Sequence, residues 1–234
     1  MRASLLAAAS ATAAAAALLL FLAARRRRPR VYVALYKPRL TLCAWHDART
    51  GGGASRASLG GLPLRLPPAL HVVGRLDRGS EGLLLCTDDG RFTRDVLQGG
   101  VPKRYWAEVR GKPSEETLAK MARGGLRMRN GNGVRMSLPA EVRVLEWELV
   151  AKAGLPDPPR GDGVERTTWL EVTLCQGLNQ QVRRMTKHAG HATVRLVRVA
   201  VGDLSLMTLG LRPGEWTYVR REDVLRSERP ASAA

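Results

Sequence analysis

Cysteine is scarce in this chain: three in 234 residues, at Cys43, Cys86 and Cys175. An odd, widely spaced set excludes a disulfide-framed secreted domain and a zinc site built from cysteine alone, so the three read as reduced, mostly buried thiols. Aromatic residues make up only 5% of the chain, too few for a protein that holds single strands purely by base stacking. No internal repeat and no coiled-coil pattern is present, and a monomer is expected. Acid is missing altogether before Asp47. What abounds is positive charge: 38 Lys plus Arg against 21 Asp plus Glu, a formal net charge of +17. An excess of that size suits a polyanion binder. With 44% hydrophobic and 25% charged residues the chain is otherwise ordinary, which excludes wholesale disorder.

The first stretch is separate in texture. Ala3 to Ala24 is uncharged and mostly Ala and Leu, and Arg25-Arg26-Arg27-Arg28-Pro29-Arg30 follows. The first 46 residues carry eight positive charges, which leaves 17 − 8 = +9 on the remainder. An acid-free Ala/Ser/Arg leader over residues 1–30 suits a transit peptide, addressing the protein to a mitochondrion or plastid. The alternative is a membrane anchor, with membrane contact confined to residues 3–24. A secretory signal fits worst, because the charges follow the apolar run instead of preceding it.

From Val31 onward short alternating runs take over. Strands are expected at 31–36, 83–87, 103–109, 142–150, 168–175 and 193–201. Short helices are expected at 91–98, from Ser114 to near Gly124, and from an Asn179 cap to about Ala189 with Gly190 as the stop. Residues 47–68 and 153–163, rich in Gly and Pro, read as loops, the first of them mobile. Many strands with few helices point to an α+β fold: a mixed, largely antiparallel sheet with flanking helices and a central cleft. The domain is expected over 31–223, with 224–234 as a disordered tail.

Three segments could carry chemistry. In Gly74-Arg75-Leu76-Asp77-Arg78-Gly79-Ser80-Glu81-Gly82, an aspartate sits between arginines on a glycine-framed loop before an apolar strand. Neighbouring guanidinium groups keep such a carboxylate ionised, a candidate nucleophile or base, although a surface Asp–Arg pair would look the same locally. Gln176 to His188 opens a helix whose amides, with Arg183, Arg184 and Lys187, can attract phosphate; a solvated basic face is the plain alternative. In Lys103-Arg104-Tyr105-Trp106-Ala107, strict alternation puts Lys103, Tyr105 and Ala107 on one face. Tyr105 there is either a stacking surface for a base or core.

Together these segments resemble the pseudouridine synthases that modify ribosomal RNA. Residues 74–90 match the family's Gly-Arg-Leu-Asp-Arg-x-Ser-Glu-Gly-Leu-Leu-Leu-x-Thr-x-Asp-Gly, 103–105 its Lys-x-Tyr, and 176–185 its Gln-Gly-x-Asn-x-Gln-Val-Arg-Arg-Met. Lys37-Pro38, the run from Arg195 to Leu209 and Gly214-Glu215-Trp216 extend the resemblance over about residues 31–219. Within the family the chain is most similar to the E type, which acts on RNA of the large ribosomal particle. Thr168-Trp169-Leu170, Met185-Thr186 with His188, and the Gly-Glu-Trp ending carry that likeness. The resemblance implies an isomerase that breaks the uridine N1–C1′ bond and joins C5 to C1′, with ribosomal RNA as partner and no metal or other cofactor. It implies that Asp77 acts at the sugar, either attacking C1′ or removing a proton at C2′. Arg183 would pair with that carboxylate, and Tyr105 would stack on the base and move a proton late in the reaction. Arg75, Arg78, Lys103, Arg104, Asn179, Gln181, Arg184 and Lys187 would hold RNA. Leu178 and Gln180 stand where relatives often carry a cation, and Gly79 where they carry a polar residue. A non-catalytic RNA-binding or ribosome-assembly factor on the same fold is the rival reading.

His188 and His191 lack a third partner in the sequence, so no metal site is expected. Asp88 and Asp89, before Gly90, read as turn formers.

Overall fold

The computed structural model describes residues 29–45, 57–131, 133–155 and 166–225. The leader up to residue 28, residues 47–56 of the first loop, 156–163 of the second and 226–234 of the tail lie outside these described residues.

The apolar run after Val31 forms β1 (Tyr32–Lys37). A short β2 (His71–Val73) and β3 (Glu81–Thr87) follow, and β3 is buried at every position. A continuous apolar run is what a strand covered on both faces requires. The next elements are α1 (Gly90–Gln98), β4 (Lys103–Arg110) and α2 (Glu115–Ala122), then a hairpin of β5 (Arg127–Asn130) and β6 (Gly133–Met136). After these come β7 (Glu141–Val144), α3 (Trp147–Lys152), β8 (Thr167–Leu174), α4 (Gln181–His188) and β9 (Thr193–Val201). The described chain closes with β10 (Leu204–Ser205), α5 (Leu206–Leu209), β11 (Trp216–Tyr218) and α6 (Arg221–Val224).

Nine strands form one sheet in the order β11-β1-β3-β9-β4-β8-β7, with β2 beside β3 and β10 beside β9. The fold is α+β, and the sheet is mixed and largely antiparallel, as the sequence pattern implies. Its one parallel joint among the described residues is β3 with β9, where Glu81 faces Val197 and Gly82 faces Arg198. Gly82 holds φ +108°, and a Cβ there would stand 2.4 Å from the Arg198 carbonyl oxygen. Only glycine lets the two halves of the sheet meet this closely.

Both faces of the sheet are covered. In the β1/β3 half, α1 packs Phe92 and Val96 over Ala34, Leu83 and Leu85. On the opposite side Leu59 and Leu76 lie over Val33, Leu35 and Leu84. In the β4/β8 half, α2 and α4 cover Ala107, Leu170 and Val172, while Val150 of α3 joins Trp106 and Trp169 behind them.

Several expectations need correction. The strand expected at 142–150 stops at Val144. The Leu145 amide makes a last bond to the Trp169 carbonyl at 2.8 Å, and the chain then turns into α3, placing Trp147 and Val150 on the tryptophan cluster. Residues 57–68, expected as mobile loop, pack: Leu59 is buried and Leu62, Leu64 and Leu66 lie against the same cluster. Helix α4 is not capped by Asn179. Its N-cap is Gln180, at φ +53° with no side-chain cap. Val224, the first residue of the expected tail, is 2% exposed and belongs to the core. Cys86 is buried, but Cys43 is only partly so and Cys175 is exposed. The β5–β6 hairpin had no sequence expectation.

Other local readings hold. Ser114 caps α2 by accepting from the Thr117 amide. Asp89 caps α1, accepting from the Arg91 and Phe92 amides, and Asp88 accepts from the Val31 amide. No helix among the described residues is long and apolar enough to cross a membrane, and residues 3–24 are outside that description.

Candidate active site

The loop between β2 and β3 carries Asp77. Its turn is closed by the Ser80 amide donating to the Asp77 carbonyl at 3.0 Å. Leu76, 5% exposed, anchors the loop in the core beside Leu35 and Leu84, and its amide donates to Cys43 Sγ at 3.3 Å. This burial fixes Leu76 and leaves Asp77 half-buried at the rim, with Arg75 and Arg78 exposed on either side.

Helix α4 approaches the same loop from the other half of the sheet. Val182 and Met185 bury its inner face, which turns Arg183 toward the loop. The Arg183 guanidinium donates to the Gly79 carbonyl at 3.0 Å and to the Thr193 carbonyl at 3.2 Å. It therefore clamps the Asp77 loop to the start of β9. Tyr105 of β4 is half-buried and packs against both the cluster that holds Leu76 and the cluster that holds Val182. The three residues singled out by sequence thus converge at the seam between the two halves.

Charges couple the residues at this seam. Burial lowers the Arg183 pKa, the charge of Asp77 raises it and the charge of Arg39 lowers it. Asp77 also acts on Lys37, whose pKa burial lowers most. Two cations are therefore felt by one carboxylate that accepts no hydrogen bond among the described residues. The expected Asp77–Arg183 pair is not a direct bidentate contact: the guanidinium spends its donors on two backbone carbonyls and acts on Asp77 through space.

Lys37 itself had no assigned role in the sequence. It is fully buried, and its Nζ donates to the Pro38 carbonyl at 2.8 Å and the Thr41 carbonyl at 2.7 Å. Beneath the loop, Glu81 pairs with Arg195 at 2.7 Å. Burial and the Glu81 charge together push the Tyr36 hydroxyl up to about 12. The pair spans 114 residues and no local pattern announces it; only the β3–β9 joint brings it together.

Not every expected RNA contact lies at this site. Lys103 is 5% exposed, and its Nζ donates to the Val96 carbonyl at 2.8 Å. Lys103 opens β4 opposite Val201 and Leu174, and its long side chain reaches the α1 backbone; the bulge beside it lies in β9, where Val199 is passed over in the pairing with β4. Arg104 is exposed, but its guanidinium lies 3.9 Å from Glu171, in the group that also holds Trp106 and Arg143. Gln181 is buried and braces the turn before α4, accepting from the Leu178 amide at 3.1 Å and donating to Gln176 at 3.3 Å. Arg184 donates to the Arg129 carbonyl at 2.8 Å and holds the β5–β6 hairpin against α4. Asn179 and Lys187 are exposed at either end of α4. His191 bonds the Arg110 carbonyl and His188 is exposed; no cluster of three metal-ligating side chains occurs among the described residues.

The family model described as RNA pseudouridylate synthase matches residues 30–188, and that span contains Asp77, Tyr105 and Arg183. The chain belongs to this family. Among curated relatives, the ribosomal large subunit pseudouridine synthase E of Xanthomonas campestris is 41% identical over 203 residues, covering 85% of this chain and 98% of the relative. The E enzyme of Vibrio vulnificus is 36% identical over 198 residues, covering 81% of this chain and 75% of the relative. That of Vibrio parahaemolyticus is 41% identical over 154 residues, a match that spans 64% of this chain and 60% of the relative's length. A solved structure described as a pseudouridylate synthase superposes with a TM-score of 0.64 at 23% identity, over 84% of this chain and 73% of that one, which shows the shared fold. The pseudouridine synthase fold thus brings the Asp77 loop, β4 and α4 together at the seam between the sheet's halves.

Proposed function

We propose that this pseudouridine synthase isomerises a specific uridine in large-subunit ribosomal RNA. The observation that carries the reading is the meeting of a half-buried carboxylate, unbonded among the described residues, with two cations and a tyrosine ring at one seam. The names of the similar E enzymes support the substrate. The uridine leaves its stack to enter the cleft, at a cost of a few kcal/mol. Tyr105 offers its ring face to the everted base. Asp77 acts at the sugar, attacking C1′ or removing the C2′ proton, while the N1–C1′ bond breaks. The base turns over and C5 joins C1′ as the Asp77–C1′ ester bond breaks or, on the other route, as the proton returns to C2′. The C5 proton then moves to N1, with the Tyr105 hydroxyl in reach of the base. Arg183 holds the Asp77 loop in place, and its positive charge attracts the carboxylate.

Asp77→Asn is the test. It preserves shape and removes the charge, so pseudouridine formation on a large-subunit rRNA transcript should fall by at least about a thousandfold, while RNA affinity stays within about threefold. Retained activity would remove Asp77 from the mechanism. Unchanged pseudouridine maps in cells with and without the gene would leave the RNA-binding or assembly-factor reading in its place. Residues 1–30 are proposed to address the protein to an organelle.

A further inference from the structure

The turn after β1 has a construction that the reaction does not use. Lys37, with no exposure at all, binds the carbonyls on both sides of residues 39 and 40. Above it Leu40 takes φ +64° although it is not glycine, and its side chain is 52% exposed. A left-handed leucine is strained and persists only where its surroundings over-determine it. Here the buried ammonium does so. The result of that strain is to present Arg39 on the surface, within reach of the charge of Arg183.

Arg39 is exposed and, among the described residues, makes one long bond, to the Val194 carbonyl at 3.3 Å. Arg183 holds the Thr193 carbonyl, one residue earlier on β9. Two guanidinium groups therefore rest on consecutive carbonyls, and the Arg39 charge opposes that of Arg183. With Arg75 and Arg78 also exposed on the Asp77 loop, positive charge outnumbers the single Asp77 carboxylate at this rim. Like charges gathered around an open edge call for an anion, and a guanidinium offers up to five donors to phosphate oxygens.

We infer that Arg39 is a clamp for a backbone phosphate of the RNA strand entering the cleft, held in position by the Lys37-supported turn at Leu40. The inference rests on the proposed isomerase reading and adds a binding residue to it. Phosphate contact fixes the register of the strand relative to Asp77 without reading its sequence. The weak bond to Val194 is the resting contact that the phosphate displaces.

The test uses the full-length chain and a transcript of large-subunit ribosomal RNA, with binding measured from about 50 to 300 mM KCl. Arg39→Gln should weaken affinity about tenfold at low salt and lower the slope of log affinity against log salt by about 0.7 to 0.9, the signature of one lost phosphate contact. The loss should appear in KM, with kcat at saturation holding within about twofold. Arg39→Lys should keep the slope. Leu40→Gly should relieve the backbone strain, so its melting temperature should hold or rise, yet affinity should fall about threefold because the presenting turn loosens. An unchanged slope in Arg39→Gln would overturn the inference, whatever its affinity. So would a loss confined to kcat, which would make Arg39 a support for Arg183. Failure of the isomerase reading would show separately, as a parent chain that binds the transcript and forms no pseudouridine.

Discussion

Lys103 shows how one buried amine can be tested without touching the reaction. Burial, aided by the Arg198 charge, lowers its pKa from 10.5 to about 8. Below pH ~8 the folded and unfolded states both hold the proton, and the burial penalty weighs on the fold in full. Between about 8 and 10.5 the folded amine is neutral while the unfolded one is still charged, so this penalty fades as pH rises. Lys103→Met removes the charge at every pH. Its stability relative to the parent should therefore decline from pH 7 to pH 10, by up to about 3 kcal/mol, in urea denaturation. A gap that stays constant over that range would mean that the ammonium remains charged. The same residue marks where sequence stops being informative. Asp77, Tyr105 and Arg183 are legible because each sits in a distinctive run with its chemistry on the side chain. Lys103 and Gln181 sit in the same runs, but their burial depends on the carbonyl of a neighbouring helix and on a turn that alternation does not encode. The roles of Lys37 and Arg39 come from a left-handed turn, invisible in residue types when glycine is not used.

At the scale of elements, helix ends with a side-chain or glycine signal are readable and those without are not. The C-terminus of α4 is set by Gly190 at φ +86°, with the Gly190 amide bonded to the Lys187 carbonyl and the His191 amide to the Thr186 carbonyl. Those two bonds satisfy carbonyls that the helix leaves open. Gly190→Ala should lower stability by about 1 kcal/mol in chemical denaturation, because the left-handed conformation penalises a Cβ. It should also raise KM modestly, since α4 carries Arg183 and Lys187. A fully neutral substitution would mean that the cap is not what ends the helix. The start of α4 carries no such signal: the N-cap glutamine has no capping bond, and the polar Asn179 beside it points to the wrong residue. The passage from β7 to α3 misleads for a related reason. Val142 to Val150 is apolar enough for a strand throughout, and only the packing of Val150 on Trp106 and Trp169 favours a helix after Leu145.

At the scale of the whole molecule, the order of strands cannot be read from neighbouring residues. The sheet's halves meet at the β3–β9 joint, which brings Glu81 to Arg195 and Asp77 to Arg183, over a hundred residues apart in sequence. Composition, by contrast, speaks directly. The +17 excess divides into +6 over residues 1–30 and 17 − 6 = +11 over the rest, so RNA attraction by the catalytic part does not depend on the leader's charges. That division lets the leader be tested alone. An organelle address needs the apolar, acid-free stretch and its arginines but none of the fold. Residues 1–45 fused to a fluorescent protein should carry it into a mitochondrion or plastid. Concentration on a membrane that resists alkaline extraction would favour the anchor, because about 20 apolar residues suffice to span a bilayer. Fluorescence spread evenly through the cell would exclude both, and would leave the leader's six arginines to contact RNA alongside the charges of the folded domain.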